Sequence, residues 1–269
     1  MGGTLRKGWD MTVRHKYVLV LFFLYRLLWG FFIYRFIDSV VTPILSRYPN
    51  EHPNAGAAEL FAIEAQFRLL RTDLIDETLW TLGGMILTRM LLTPLLNAGL
   101  YYSFNHSADG QGTRMLTGMR RAWKPIVVLY LAETFLLLLP AVWLLPMAKD
   151  RFFSNGSMQE WIFGLLPYFA GWILWGFLLH LAFQFMQFGA VAGESVWKGL
   201  LGAVRKALPL TIVTLLLAAF GLLASAAASS ISILWSGFLA VVLHQAFHFI
   251  RSMLSVWTAA SQFEIWRES

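Results

Sequence analysis

The sequence predicts an all-α integral membrane protein with six transmembrane helices, and both its composition and its hydropathy pattern point to that class. Of the 269 residues 58% are hydrophobic and 13% are charged, whereas an average soluble domain has roughly 25% charged residues. A helix needs about 20 mostly apolar residues to cross the hydrocarbon, because lipid offers its backbone no hydrogen-bond partner. Within a single polytopic domain, 1–269, six segments meet this requirement: 17–42, 79–103, 125–147, 161–188, 209–230 and 233–258.

The distribution of Lys and Arg predicts that both termini are cytoplasmic. Basic residues gather in the N-terminal tail, in the second and fourth loops and at the C-terminal end, whereas the other loops carry more carboxylates than cations. Basic loops of membrane proteins face the cytoplasm. We therefore expect a multi-pass plasma-membrane protein whose net charge of +6 favours anionic headgroups at the cytoplasmic face and not nucleic acid.

A repeated pattern indicates that four of the spans form two parallel units, 79–147 and 161–230. The segment GMRRAWKPIVVLY begins at residue 118, and GAVRKALPLTIVT begins at residue 202. In each copy a short basic helix follows a span, and Pro stands near the start of the next helix, where its missing N–H costs nothing. The repeat predicts the same membrane orientation for both units.

The two basic segments, 112–123 and 194–207, are predicted to be amphipathic helices. In the second, Trp197, Leu200, Leu201, Val204 and Leu208 share one stripe at helical spacing, as in a helix that lies in the headgroup plane. The alternative is an elbow that only turns the chain. The side chains expected to contact lipid headgroups are Arg114, Arg120, Arg121, Lys124, Lys198, Arg205 and Lys206.

A third amphipathic helix is predicted at 59–77, before the second span. Apolar residues from Leu60 to Leu74 recur there at spacings of three and four, which is typical of one apolar helix face. Its mixed charges favour a surface for a membrane protein partner or a lid over the bundle. The alternative is a solvated helix that packs on its own bundle.

Three consecutive stretches resemble a known group of bacterial proteins. LTPLLNAGLYYSF leads into GTRMLTGMRRAWKPIVVLYLAETFLLLLP, and FGAVAGESVWKGLLGAVRKALPLTIVTLLL follows. This plan resembles the bacterial membrane families that include the YciC proteins and the membrane domain found beside some glycerophosphodiesterases. The resemblance implies a six-span topology and a bacterial plasma membrane. It implies no assigned reaction and transfers no catalytic residue.

Ionisable side chains within the spans define a candidate intramembrane polar site, because such groups are costly in hydrocarbon and often functional. We expect Glu133 to pair with Arg89, either as an ion pair that fixes helix register or as a substrate or proton site. His244 and His248 are four residues apart and share a helix face. They fit interior hydrogen bonds or a metal or proton-relay site, whose third ligand would have to come from Glu133 or His180, and we assign neither a metal nor a cofactor. The full set is Glu133, Arg89, Arg26, His180, His244, His248 and Arg251.

No combination of nucleophile, base and phosphate-binding loop emerges from the sequence, so we expect no enzymatic activity. The amphipathic segments favour an accessory or envelope-organising protein that acts through protein and lipid contacts. The alternative is a small-solute or lipid transporter that uses the intramembrane charges. A membrane hydrolase is the weakest of the three hypotheses, because a nucleophile and a base cannot be nominated together.

Overall fold

The structure, a computed structural model, describes residues 2–45, 74–106, 113–154, 158–234 and 238–268. The prediction of an all-α protein is confirmed, since helices account for nearly all of these ranges and no strand occurs in them. The helices are α1 Gly2–Arg14, α2 Lys16–Leu45, α3 Leu74–Asn105, α4 Thr113–Arg121, α5 Trp123–Leu138, α6 Ala141–Ser154, α7 Met158–Ala192, α8 Val196–Arg205, α9 Ala207–Leu234 and α10 Phe238–Arg267.

Five segments of the described chain are long and apolar enough to cross a membrane, which is consistent with a membrane-embedded helical protein. They are Lys16–Ser39, Leu79–Asn105, Trp123–Lys149, Phe163–Ala192 and Ala207–Ser230. Most of the predicted sixth span, 233–258, lies in α10, which is not among the five. The six-span count, the parallel repeat and the cytoplasmic termini therefore stay predictions. Residues 59–73 of the predicted third amphipathic helix lie outside the described part of the chain, and the rest begin α3.

The helices divide into two compact units, one of Met1–Val20 with Thr93–Ser269 and one of Leu21–Leu92. The core of the first unit is built around the C-terminal half of α10, where all seven residues of 259–265 are buried. A helix that is buried on every side lies inside a bundle. The Phe263 ring contacts Phe104 of α3 at 5.7 Å and Phe188 of α7 at 5.3 Å, centroid to centroid. Helix α10 therefore continues past the predicted span end at 258 and forms the centre of this unit.

Helix α1 packs along this buried part of α10, and we call the contact the terminal clasp. Trp257 Nε1 donates a hydrogen bond of 2.9 Å to the Leu5 carbonyl, and the exposed Lys7 ammonium lies 3.0 Å from Glu268 Oε1. The two helices approach closely at Gly8, where a Cβ atom would lie 2.9 Å from Ser261 Cα. The segment expected to be a basic tail is thus an ordered helix that contributes to the core.

The two basic segments both contain short helices, but these pack differently. On α4, Met115 is buried, and a Cβ atom at Gly99 of α3 would lie 2.7 Å from its Cγ. On α8, Gly199 is the close contact, since a Cβ atom there would lie 2.9 Å from Met186 Cα of α7. Protein contacts therefore bury Met115 on α4 although Leu116 is exposed, whereas small residues form the packing side of α8.

The third membrane-spanning segment is interrupted at Pro140, between α5 and α6. Pro140 has no N–H to donate to the Leu136 carbonyl, and carbonyls in the last turn of a helix have no intrahelical donor. Two indole groups of α7 bind the carbonyls left at this break. Trp172 Nε1 donates to the Leu137 oxygen at 2.8 Å, and Trp175 Nε1 donates to the Leu136 oxygen at 3.2 Å. We call this pair of bonds the tryptophan brace.

Candidate functional site

The structure brings two of the predicted intramembrane residues together, Glu133 of α5 and His180 of α7. The imidazole Nδ1 lies 2.8 Å from Glu133 Oε1, within hydrogen-bond distance. About 15% of the Glu133 side chain is exposed, against 60% of the His180 side chain. The pair places a carboxylate largely inside the protein and an imidazole at its open edge.

Each member of the pair stands well inside a membrane-spanning segment. Glu133 is ten residues beyond the start of α5 and His180 is twelve residues before the end of α7, which corresponds to roughly 15 and 18 Å along the helix axes at 1.5 Å per residue. A carboxylate at such a depth is costly unless it is paired or protonated. The short contact with His180 supplies a partner of suitable chemistry, since an imidazole nitrogen can hydrogen-bond to a carboxyl group.

Two buried polar residues that the sequence analysis did not single out extend this site. Tyr101 of α3 and Gln184 of α7 are both 4% exposed. The Tyr101 side chain is close to that of Gln184 and within electrostatic reach of Glu133. Gln184 Oε1 is buried and has no hydrogen-bond partner among the described residues. The Glu133–His180 pair is therefore accompanied by two buried polar side chains.

A spacing signal in the sequence marks this polar face of α7. His180, Gln184 and Gln187 are separated by four and three residues, so they lie on one side of the helix. They interrupt an otherwise apolar segment, and Gln184 and Gln187 are both buried. Counting uncharged polar residues together with ionisable ones would have revealed this stripe.

The remaining candidates lie elsewhere in the fold. Within the unit Leu21–Leu92, the Arg89 guanidinium carbon lies 5.8 Å from the centroid of the Trp29 ring, a distance typical of a cation–π contact. Glu133 belongs to the other unit, so its predicted pairing with Arg89 stays a prediction, and the hydrogen-bond partner described for Glu133 is His180. Arg26 belongs to α2 and is half-buried.

Three further candidates occur along α10. His248 is half-buried and Arg251 is exposed, while the side chain of His244 is outside the described part of the structure. In the described residues no group of three or more His, Asp or Glu side chains is arranged to hold a metal ion.

The predicted headgroup contacts are mainly on the surface. Arg114 and Lys206 are half-buried, and the other five cations are exposed: Arg120, Arg121, Lys124, Lys198 and Arg205. On α8 and the first residues of α9 they accompany large apolar side chains that are also exposed, namely Trp197 at 75%, Leu201 at 50%, Val204 at 67% and Leu208 at 73%. We call these four residues the α8 stripe.

Fold and site together define a helical protein with several membrane-spanning segments and a carboxylate–imidazole pair inside them. No protein family, curated protein or solved structure matches the chain. The resemblance to the YciC families and to the membrane domain beside some glycerophosphodiesterases therefore stays a prediction.

Proposed function

We propose that the protein is a non-enzymatic accessory or envelope-organising membrane protein that acts through lipid and protein contacts at the cytoplasmic face. The observation that carries this proposal is the arrangement of α8. Gly199, Gly202 and Ala203 are buried on one side of the helix, and the α8 stripe is exposed on another. An apolar face that is directed away from the protein fits the acyl boundary of a bilayer.

The charges on α8 complete the arrangement that a headgroup contact needs. Lys198 and Arg205 are seven residues apart and exposed, so they share one flank of the helix between its buried side and its apolar stripe. Cations beside an apolar face favour anionic headgroups by about 1 kcal/mol each. Trp197 adds an aromatic ring of the kind that is enriched at membrane interfaces.

Retention of anionic lipid in native mass spectra tests this function. We expect the protein, released from nanodiscs that contain phosphatidylglycerol and phosphatidylcholine, to retain phosphatidylglycerol preferentially. Arg205→Gln should weaken that preference about fivefold, the equivalent of about 1 kcal/mol. The control is Lys149→Gln, which removes one exposed cation on α6, away from the α8 stripe. Equal retention by wild type, Arg205→Gln and Lys149→Gln would refute the proposal.

A second candidate function, transport of a small solute, is favoured by the Glu133–His180 pair. Ionisable groups inside membrane segments often belong to proton relays and substrate paths. The wild-type protein in pyranine-loaded vesicles should then raise the rate of proton entry after an external acid pulse, and Glu133→Gln should abolish the increase. Glu194→Gln, which changes an exposed carboxylate between α7 and α8, is the control. Identical rates for wild type and Glu133→Gln would exclude proton-coupled transport through this pair.

A further inference from the structure

His15, the residue between α1 and α2, places both of its ring nitrogens beside backbone carbonyl oxygens. Nδ1 lies 2.7 Å from the Met11 oxygen of α1, and Nε2 lies 3.2 Å from the Ser103 oxygen of α3. The side chain is half-buried, and its ring stands nearly perpendicular to the Phe104 ring, 5.8 Å away between centroids. The imidazole therefore connects the end of α1 to the end of α3, and we call this contact the His15 junction.

The two contacts of the ring place different demands on its protonation state. A carbonyl oxygen only accepts hydrogen bonds, whereas a neutral imidazole has one N–H donor and one nitrogen lone pair. A neutral ring can therefore donate to Met11 or to Ser103, and it turns a lone pair towards the other oxygen. The imidazolium form has two N–H groups and donates to both carbonyls at once.

The position of the junction at two helix ends also favours a cation. Met11 is among the last four residues of α1, and Ser103 is among the last four of α3. Carbonyls in the last turn of a helix have no intrahelical donor, and this end of the helix has a partial negative charge. Hydrogen bonds from a charged donor are roughly twice as strong as those between neutral groups. Protonated His15 thus interacts favourably with both helix ends.

The charged groups beside the ring act in both directions. Arg14 and Lys16 flank His15 in the sequence and oppose its protonation, while Asp10 favours it, but all three are exposed. Water and salt screen exposed charges, so the two carbonyl contacts outweigh them. The other titratable groups on the adjoining segments are Tyr17 on α2, Tyr101, Tyr102 and His106 at the end of α3, and Glu264 and Arg267 on α10.

We propose that the His15 junction is a pH-sensitive contact in which protonation of the ring holds α1 against the end of α3. Histidine changes its charge between about pH 5 and 8. Because the closed junction favours the protonated ring, the closed state is most populated at the acidic end of this range and is lost as the pH rises. The inference goes beyond both candidate functions, since it assigns a pH response to the helix that forms the terminal clasp.

Thiol accessibility tests the junction, because the chain contains no cysteine. Met11→Cys introduces one thiol at a position of α1 that is 8% exposed, so that the thiol reacts when α1 opens. The rate of reaction with a methanethiosulfonate reagent is measured in nanodiscs at pH 5.5 and pH 8. It is divided by the rate for Gly3→Cys, an exposed position on the same helix, which corrects for ionisation of the thiol.

We expect the corrected rate to be about tenfold lower at pH 5.5 than at pH 8, because the acidic form gains a charge-assisted hydrogen bond at a helix end. In the Met11→Cys protein, His15→Gln keeps a neutral donor but cannot titrate, so its corrected rate should be the same at both pH values. His15→Arg is permanently charged and has several N–H donors, and its rate should be low at both.

His106→Gln is the matched control, because His106 is also a half-buried histidine at the end of α3 and only its Nδ1 contact, with the Tyr102 carbonyl, resembles those of His15. It should keep the tenfold change. Circular dichroism establishes that each variant is folded. The proposal is overturned if the corrected rate of the Met11→Cys protein is the same at both pH values, a result that needs no histidine variant. It is also overturned if the pH effect persists in folded His15→Gln or disappears in His106→Gln.

Discussion

Trp172 Nε1 donates a 2.8 Å hydrogen bond to the carbonyl oxygen of Leu137, so a side chain of α7 satisfies the backbone of α5 beside Pro140. In water a solvent molecule could serve the same carbonyl, but hydrocarbon contains no such donor. The tryptophan brace therefore explains how this span tolerates a proline. It also joins α5 to α7 at the end of α5 that lies beyond the Glu133–His180 contact.

The first prediction concerns the tryptophan brace. Trp172→Phe keeps an aromatic ring but removes the donor, and we expect it to lower the free energy of unfolding by about 1–2 kcal/mol. Unfolding in a series of detergent mixtures with increasing dodecyl sulfate measures the change. Trp143→Phe is the control, because the Trp143 side chain of α6 is 77% exposed, and it should change stability by less than about 0.5 kcal/mol. Equal effects of the two substitutions would contradict a special role for the brace.

The second prediction concerns the close approach of α8 to α7. A Cβ atom at Gly199 would lie 2.9 Å from Met186 Cα, and backbone atoms cannot give way as a flexible side chain can. Gly199→Ala should therefore destabilise the protein by about 1–3 kcal/mol. Gly171→Ala in α7 is the control, since a Cβ atom there meets nothing within 4 Å, and helix propensity alone makes it neutral or stabilising. Thermal melts followed by circular dichroism compare the two, and a neutral Gly199→Ala would show that α8 is not held at this contact.

The third prediction separates packing from charge in the terminal clasp. Lys7→Gln should change the free energy of unfolding by at most about 1 kcal/mol. The Lys7 side chain is 60% exposed and the Glu268 side chain 50%, and exposed ion pairs contribute little to stability. Gly8→Ala should cost about 1–3 kcal/mol, because its Cβ would meet the α10 backbone at Ser261.

Gly3→Ala is the control for that substitution, since it lies on the same helix with nothing within 4 Å of a Cβ atom. Chemical denaturation of the three variants against wild type provides the comparison. A large loss of stability for Lys7→Gln with no loss for Gly8→Ala would show that charge, and not packing, holds the terminal clasp together.

The fourth prediction concerns topology, and the chain is well suited to the measurement because it has no cysteine. If the basic loops are cytoplasmic, a cysteine introduced by Ser195→Cys, between α7 and α8, should resist a membrane-impermeant maleimide in intact spheroplasts. Asn155→Cys, at a position that falls between α6 and α7 in the sequence, should be labelled in the same cells. Permeabilised spheroplasts show that both thiols can react. Labelling of Ser195→Cys without permeabilisation would invert the proposed orientation.

Hydropathy and turn chemistry predicted much of the fold. The apolar segments predicted the candidate membrane spans, because length and composition determine whether a helix can cross hydrocarbon. Pro140 lies between α5 and α6 and interrupts its span, whereas α3 continues through Pro94. A proline does not by itself determine whether a helix is interrupted, because the surrounding contacts determine whether the freed carbonyl finds another donor.

The site was harder to predict because its contacts join helices that are distant in sequence. Charge alone favoured Arg89 as the partner of Glu133. The partner found is His180, 47 positions from Glu133, and nothing local to either residue encodes that distance. Gln184 was missed for a different reason, since a neutral amide carries no charge that would mark it as costly. Only the structure shows that its Oε1 atom is buried without a hydrogen-bond partner among the described residues.

The terminal clasp has a consequence for the order in which the protein matures. Helix α1 leaves the ribosome before the other described helices, and its partner around Trp257 and Ser261 follows much later. The hydrogen bond between Trp257 and Leu5 joins residues 252 positions apart. The unit that contains both helices therefore cannot complete its core until α10 has been synthesised. Until then α1 lacks the helix on which it packs, and its apolar contact surface stays uncovered.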